Sequence, residues 1–235
     1  MYVAVIDAFA ETASFRLPEA HTFHKTLPLP PYTTIVGLVG CALGLDGAAA
    51  QTWIAEQQVR IGVAGRAKGY YKDLWKYRKI KREEVISDVL LREYLVDLDI
   101  HFVFGCEKRD TVQHLAAAFR DPAWALAAGP SDCLLRIRET GVMQLEPIPY
   151  KRFEFCVIPG DISGRYKPDP SVLQSPITET IQAPWICLLP ISFKFEQSRL
   201  RSVAAREPFT FVGHPIELDT PALALRIDQT TIVLR

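Results

Sequence analysis

The sequence predicts an α+β fold, and three observations carry that prediction. Apolar runs with a period of two recur through the first 142 residues, helical runs lie between them, and the final third is broken by prolines into short extended runs. Residues 2–10 alternate, with Val3 and Val5 and further apolar residues around Asp7, as a strand at the heart of a sheet does. A polar loop over 11–31 ends in Leu27-Pro28-Leu29-Pro30-Pro31, where proline forbids helix and favours extended chain. Thr33 or Thr34 then caps a helix over 35–43, and Gly44 suits its C-terminal end. Residues 48–57 read as a second short helix, and 59–63 as a strand leading into a basic segment.

Residues 96–102 alternate apolar with polar as a half-buried antiparallel strand does, with acids and His101 on the other face. Asp110 caps a helix that carries Val112, Leu115 and Phe119 at helical spacing. Asp121-Pro122 opens a further helical stretch ending near Gly129, and 133–138 follow as a strand with Leu135 and Ile137 on one face. Strand, helix, strand, strand, helix, strand is the split order of a ferredoxin-like or RRM-type sheet. That order defines a first domain at 1–144 with an insertion at about 66–93. Prolines at 147, 149, 159, 168, 170, 176, 184 and 190 then mark 145–235 as a small β-rich region.

With 49% apolar and 23% charged residues, a chain of 235 residues buries a real core and lies far from the profile of disorder. The formal net charge is zero, which argues against coating nucleic acid by bulk electrostatics, but the charge is unevenly placed. Residues 66–82 hold eight basic side chains against one acid, Asp73, interleaved with Tyr70, Tyr71, Trp75 and Tyr77. Such a segment is too polar for core on either a helical or a strand period, so it projects. Cations hold phosphates and the rings offer bases a stacking surface; a solvated charged hairpin is the bland alternative.

The five cysteines form no CxxC or Cys/His spacing that closes a zinc site, and they read as reduced, buried thiols. No signal peptide is expected, and the longest apolar run, 35–45, is far short of the roughly 20 residues of a membrane span. A soluble cytoplasmic chain without cofactor or metal is the expectation. The helix start at Thr33 and Thr34, with Gly37 allowing close backbone approach, is a candidate anion site; a capped core helix accounts for the same residues. His21, His24, His101, His114 and His214 are scattered, and no HExxH, GxSxG or P-loop pattern appears, so no strong enzyme signature is present.

Ser14-Phe15-Arg16-Leu17-Pro18, followed by Thr26-Leu27-Pro28-Leu29-Pro30-Pro31-Tyr32-Thr33-Thr34-Ile35-Val36-Gly37-Leu38, resembles the CRISPR-associated Cas-five family of the RAMP superfamily. Arg92-Glu93-Tyr94-Leu95-Val96-Asp97 and Ala127-Ala128-Gly129-Pro130-Ser131-Asp132-Cys133 resemble it further along. The resemblance covers nearly all of the first domain and the inserted segment, whereas the last third agrees mainly in composition. It implies a subunit of a type I surveillance complex (Cascade) that serves antiviral defence. In such subunits a ferredoxin-like domain holds the 5′ handle of the guide RNA and an inserted β-hairpin thumb lies against it. The partners it implies are that RNA, a backbone subunit and the large subunit, with target DNA reached through the complex.

Carried over by position, Arg16, Thr33, Thr34 and Gly37 become candidates for the handle's phosphates, and the basic segment becomes the thumb. Lys72, Lys76, Arg78, Lys79, Lys81 and Arg82 are then its RNA-binding cations, and Trp75 and Tyr77 its stacking rings. One branch of the family cleaves repeat RNA with a metal-free Tyr, Lys and His set, which is the runner-up function. Gln113, not lysine, precedes His114 here, so a subunit with no catalytic residues is expected. A protein-interaction subunit without RNA contact is a third reading.

Overall fold

The computed structural model describes residues 1–20, 23–81, 84–174, 182–196 and 200–235. In chain order, β1 (Tyr2–Ala13) and the short β2 (Phe15–Arg16), β3 (Phe23–His24) and β4 (Thr26–Leu27) precede α1 (Tyr32–Leu43) and α2 (Gly47–Glu56). Two long strands, β5 (Arg60–Lys81) and β6 (Glu84–Cys106), lead to α3 (Arg109–Arg120) and β7 (Arg136–Gln144). The remainder is β8 (Ile148–Phe153), β9 (Cys156–Pro159), β10 (Tyr166–Pro168), a 3-10 turn at Pro170–Gln174, β11 (Trp185–Phe195), β12 (Arg201–Val212), β13 (Ile216–Ile227) and β14 (Thr230–Ile232). The larger sheet runs β11-β12-β9-β5-β6-β1-β7, with β3 beside β6. A second sheet joins β8, β10, β13 and β14.

β1 lies inside the sheet, between β6 and β7, and its alternation is apolar on both faces: Ala4, Ile6, Ala8 and Ala10 enter one core, while Val3 enters another. The first core lies under the helices. α3 turns Val112, Leu115 and Phe119, all fully buried, onto the sheet, where the Phe119 ring meets Phe104 at 5.3 Å and Phe102 at 6.4 Å. Three large apolar groups buried at helical spacing are worth several kcal/mol on area alone, about 1.5–3 each. The second core sits on the opposite face, where Val3, Ala64 and Val103 meet Ile216, Leu225 and Ile232. Strands of the last third thus contribute to both cores.

Four boundaries differ from the sequence reading, each for a local reason. α1 starts at Tyr32 with Pro31 as its N-cap, so Thr33 and Thr34 lie inside the first turn and cap nothing. Pro31, already extended at φ −69° and ψ 160°, offers its carbonyl to the N–H groups of Thr34 and Ile35. Lys108, not Asp110, precedes α3, because the chain turns at once after β6 and its N–H reaches Cys106 Sγ at 3.4 Å; Asp110 stays in the first turn, where a carboxylate complements the helix dipole.

The stretch after α3 is not a helix. Ala123 and Trp124 donate their N–H groups to Ala42 and Cys41 at 3.1 Å each, so they satisfy the open carbonyls at the end of α1. A tight turn then links Ala128 to Cys133, which delays β7 until Arg136. Gly44 does end α1 in the left-handed conformation, at φ 72°. Cys106, Cys133, Cys156 and Cys187 are buried free thiols, and burial pushes Cys156 up to about 12. No single helix among the described residues is long and apolar enough to cross a membrane.

Candidate nucleic-acid interface

β5 and β6 are 22 and 23 residues long, several times an ordinary strand, and they pair from Arg60 and Gly105 outward to Lys81 and Glu84. Residues 61–64 of β5 and most of 94–106 of β6 are core; the outer halves form an arm whose large side chains are exposed, including Leu74 at 66% and Ile80 at 78%. Residues opposite one another in an antiparallel pair share a face, which splits the basic segment in two. Lys72, Leu74, Lys76 and Arg78 stand opposite Glu93, Leu91, Val89 and Ser87 on one face. Tyr71, Asp73, Trp75 and Tyr77 stand opposite Tyr94, Arg92, Leu90 and Asp88 on the other.

The second face is a continuous stack. Tyr77 lies on Trp75 at 5.5 Å, the Arg92 guanidinium lies 4.3 Å over Trp75, its Nη1 donates to the Tyr94 hydroxyl at 3.1 Å, and Tyr94 stacks on Tyr71 at 5.0 Å. At the outer end the Tyr77 hydroxyl donates to Asp88 at 3.1 Å, which raises its pKa. A lone two-stranded ribbon is marginally stable in water, and ring and cation–π contacts of this kind supply roughly 0.5–1.5 kcal/mol each. The ladder therefore stiffens the arm and leaves Trp75 and Tyr71 each 41% exposed.

The segments that carry the family resemblance meet at the arm's base. Ser14 Oγ donates to the Glu93 carbonyl at 2.8 Å, its N–H donates to the Ala128 carbonyl at 3.0 Å, and Thr12 Oγ1 donates to Cys133 Sγ at 3.5 Å. Phe15 N–H donates to Thr26 Oγ1 at 2.8 Å, while Thr26 N–H donates to Glu93 Oε2 at 3.1 Å. Ser14 and Thr26 are buried, so each bond satisfies a group that would otherwise cost about 1–3 kcal/mol. Gly129, at φ +105°, presses on Ser14 so closely that a Cβ would fall 2.0 Å from its carbonyl oxygen. These motifs build the socket from which the arm springs.

Around the socket, cations gather. Burial, and after it the charges of Arg16 and Arg92, hold the His24 pKa below its ordinary value. Lys72 Nζ lies 5.3 Å over the Phe23 ring, which joins the arm to β3. Arg16 is exposed on β2, its Nη2 donating to the Ala20 carbonyl at 3.5 Å. Of the predicted cations, Lys72, Lys76 and Arg78 share one exposed face. Among the described residues Lys76 and Arg78 take no carboxylate partner. Lys79 and Lys81 hold register positions opposite Ile86 and Glu84, and Arg82 lies outside the described residues.

Thr33, Thr34 and Gly37 lie on α1, whose start meets the C-terminal residue instead: the Arg235 guanidinium sits 4.6 Å over Tyr32. Gly37 is exposed, with open space where a Cβ would stand, whereas Gly40 is the glycine that packing requires, because its Cβ would meet Ala50 at 2.9 Å. His24 and Arg92 are not among the predicted site residues, although Arg92 opens one matched motif and His24 lies two residues before another, which could have flagged them. His114 is exposed on α3 beside Trp53, ring centroids 6.5 Å apart. Elsewhere on the sheet cations are neutralised, as where Arg138 bonds Asp7 at 2.7 Å and Asp99 at 2.6 Å.

A family model described as CRISPR-associated protein (Cas_Cas5) matches residues 5–172. In fold, the chain is similar to one from a CRISPR RNA-guided surveillance complex at 15% identity, covering 93% of this chain and 90% of that one, with a TM-score of 0.53. It is similar to a CRISPR protein from Archaeoglobus fulgidus at 8% identity, covering 99% and 98%, with a TM-score of 0.54. A chain of the type III-B Cmr-beta complex bound to cognate target RNA and AMPPnP matches at 10% identity over 92% and 86%, with a TM-score of 0.52. At such identities the likeness is one of fold. No curated protein matches the sequence.

Proposed function

From the premise that the chain belongs to the CRISPR-associated Cas-five family, we propose that it is a non-catalytic subunit of a type I surveillance complex that holds the 5′ handle of the guide RNA. The observation that carries the reading is the arm: three exposed cations, Lys72, Lys76 and Arg78, on one face of a ribbon stiffened by an aromatic ladder on the other. In this reading β1, β5, β6 and β7 with α1 and α3 are the ferredoxin-like domain, and the arm is its thumb. Phosphates of the handle lie along the cations and fix its register, while splayed bases use exposed rings such as Trp75.

Leu74, Val89 and Leu91 share the cationic face and are 66%, 50% and 43% exposed. Aliphatic groups among cations favour a protein neighbour on part of that face, and we assign it to the adjoining subunits of the complex. Holding without cutting is supported by His114, which has Gln113 before it and Trp53 beside it. The test is to recover the tagged chain from cells that express a CRISPR array and to sequence the RNA that co-purifies. Enrichment of fragments beginning within the repeat is expected; recovery of RNA without repeat sequence rejects the reading.

A further inference from the structure

The larger sheet parts beside β5. β9 pairs with β5 at Ala64 and Cys156, the Gly65 N–H donates to the Phe155 carbonyl at 2.7 Å, and past that point no described residue of β9 pairs with β5. A cleft of about 530 Å³ opens there, lined by the β5 edge at 65–70, by Lys25 and Trp185, and by Gly213. That volume falls in the range of small-molecule pockets. A strand edge without a partner strand presents N–H and C=O groups.

The walls carry two rings, each capped by a cation: Lys25 Nζ lies 4.5 Å over Trp185, and Arg66 Cζ lies 4.6 Å over Phe155. Tyr70, 54% exposed, adds a third ring. The lining carboxylate, Glu93, already accepts the Thr26 N–H at 3.1 Å. Flat rings, positive charge and strand-edge hydrogen-bonding groups in one cleft suit a planar heterocycle joined to a phosphate.

We propose that this cleft takes one unstacked nucleotide of a single-stranded RNA. The base displaces the Lys25 ammonium from the Trp185 ring, and the released ammonium meets the adjoining phosphate. This rests on the RNA-holding reading and adds to it a site off the arm. Lys25 is exposed, so its movement costs little packing.

Four tryptophans are present, so the emission of Trp185 is read as the difference between the otherwise unmodified chain and Trp185→Phe. The probe is a fluorescein-labelled oligouridylate of about eight nucleotides, within the site sizes of single-strand binders. Quenching of Trp185 emission in step with binding is expected, with about a tenfold loss of affinity in Lys25→Glu and in Trp185→Leu, as for one lost stacked base. Trp185→Phe retains most of the affinity. RNA that binds by anisotropy while Trp185 emission and the Lys25→Glu affinity stay unchanged overturns the cleft proposal and leaves the arm reading standing. Failure of the unmodified chain to bind the RNA overturns both.

Discussion

Replacing Lys72, Lys76 and Arg78 together by Gln removes the three cations that share one exposed face of the arm. Along a strand these positions are spaced at about 3.4 Å per residue, so Lys76 and Arg78 stand roughly 7 Å apart and Lys72 roughly 14 Å from Lys76. An extended RNA can meet all three. For a single strand each phosphate contact contributes about 0.7 to the slope of log affinity against log salt, so the triple variant loses about 2 from that slope. Between 50 and 200 mM salt, that difference is worth roughly an 18-fold smaller decline in affinity. Fluorescence anisotropy of a labelled single-stranded RNA over a salt series reads it directly. The side chains are exposed, so the melting temperature stays within what about 0.5 kcal/mol moves. A variant whose salt slope runs parallel to the unmodified chain's refutes the reasoning, whatever its affinity.

Trp75→Ala breaks the ladder between Tyr77 and Arg92 and removes roughly 1 kcal/mol of ribbon stability, so amide exchange over the outer arm rises about fivefold while the core stays protected; unchanged exchange denies the stiffening role. His24 is held below its ordinary pKa by burial and by Arg16 and Arg92, so folding stability falls as pH drops below the ordinary histidine range; a bound phosphate offsets the two arginine charges, and RNA affinity therefore rises on acidification with proton uptake measurable by calorimetry, which His24→Gln abolishes. Gly129→Ala costs on the order of 3 kcal/mol from strain and overlap with Ser14, whereas Gly37→Ala, in open space on a helix, stabilises by about 0.5–1 kcal/mol; a loss of RNA affinity in a well-folded Gly37→Ala chain places that helix start at the RNA, and unchanged affinity removes it. Arg235 holds the Glu207 carboxyl below its usual range, so that pair contributes above the ordinary carboxylate pKa and is lost as pH falls through the depressed one; both groups are partly exposed, so Arg235→Met costs about 1 kcal/mol or less from this pair near neutral pH, and its cost is smaller in acid, where only the contact with Tyr32 is lost, read by denaturant melts.

How far the sequence could be read depended on whether a signal was local. The alternation of residues 2–10 and 96–102 located β1 and β6, because period-two burial is written in consecutive residues. Val112, Leu115 and Phe119 marked the buried face of α3 for the same reason. The projecting character of residues 66–82 was likewise visible in composition, and β5 carries the described part of that segment, with Leu74, Trp75 and Ile80 exposed. The stretch 121–129 was misread because its backbone N–H groups are taken by the end of α1, a contact that no local pattern announces. Thr33 and Thr34 resembled caps, yet Pro31 supplies the start of the helix.

The candidate site was legible in part. Counting charges found the arm, but the division of its side chains into a cationic face and a stacked face follows from the pairing register of two strands. The matched motifs drew attention to Ser14, Thr26, Glu93 and Gly129 as family features; their role in building the socket emerges only when segments far apart in sequence are brought together. Arg92 and His24 gain their interest from neighbours on other strands, as does Lys25 from the ring of Trp185.

The most direct measurement is gel retardation of end-labelled repeat RNA in EDTA by the purified chain and by the variant in which Lys72, Lys76 and Arg78 become Glu. Intact, retarded RNA with the unmodified chain and free, uncut RNA with the variant is the predicted result. Equal retardation by both proteins contradicts the arm as the RNA-holding element, and RNA cut by the unmodified chain contradicts a subunit that only holds.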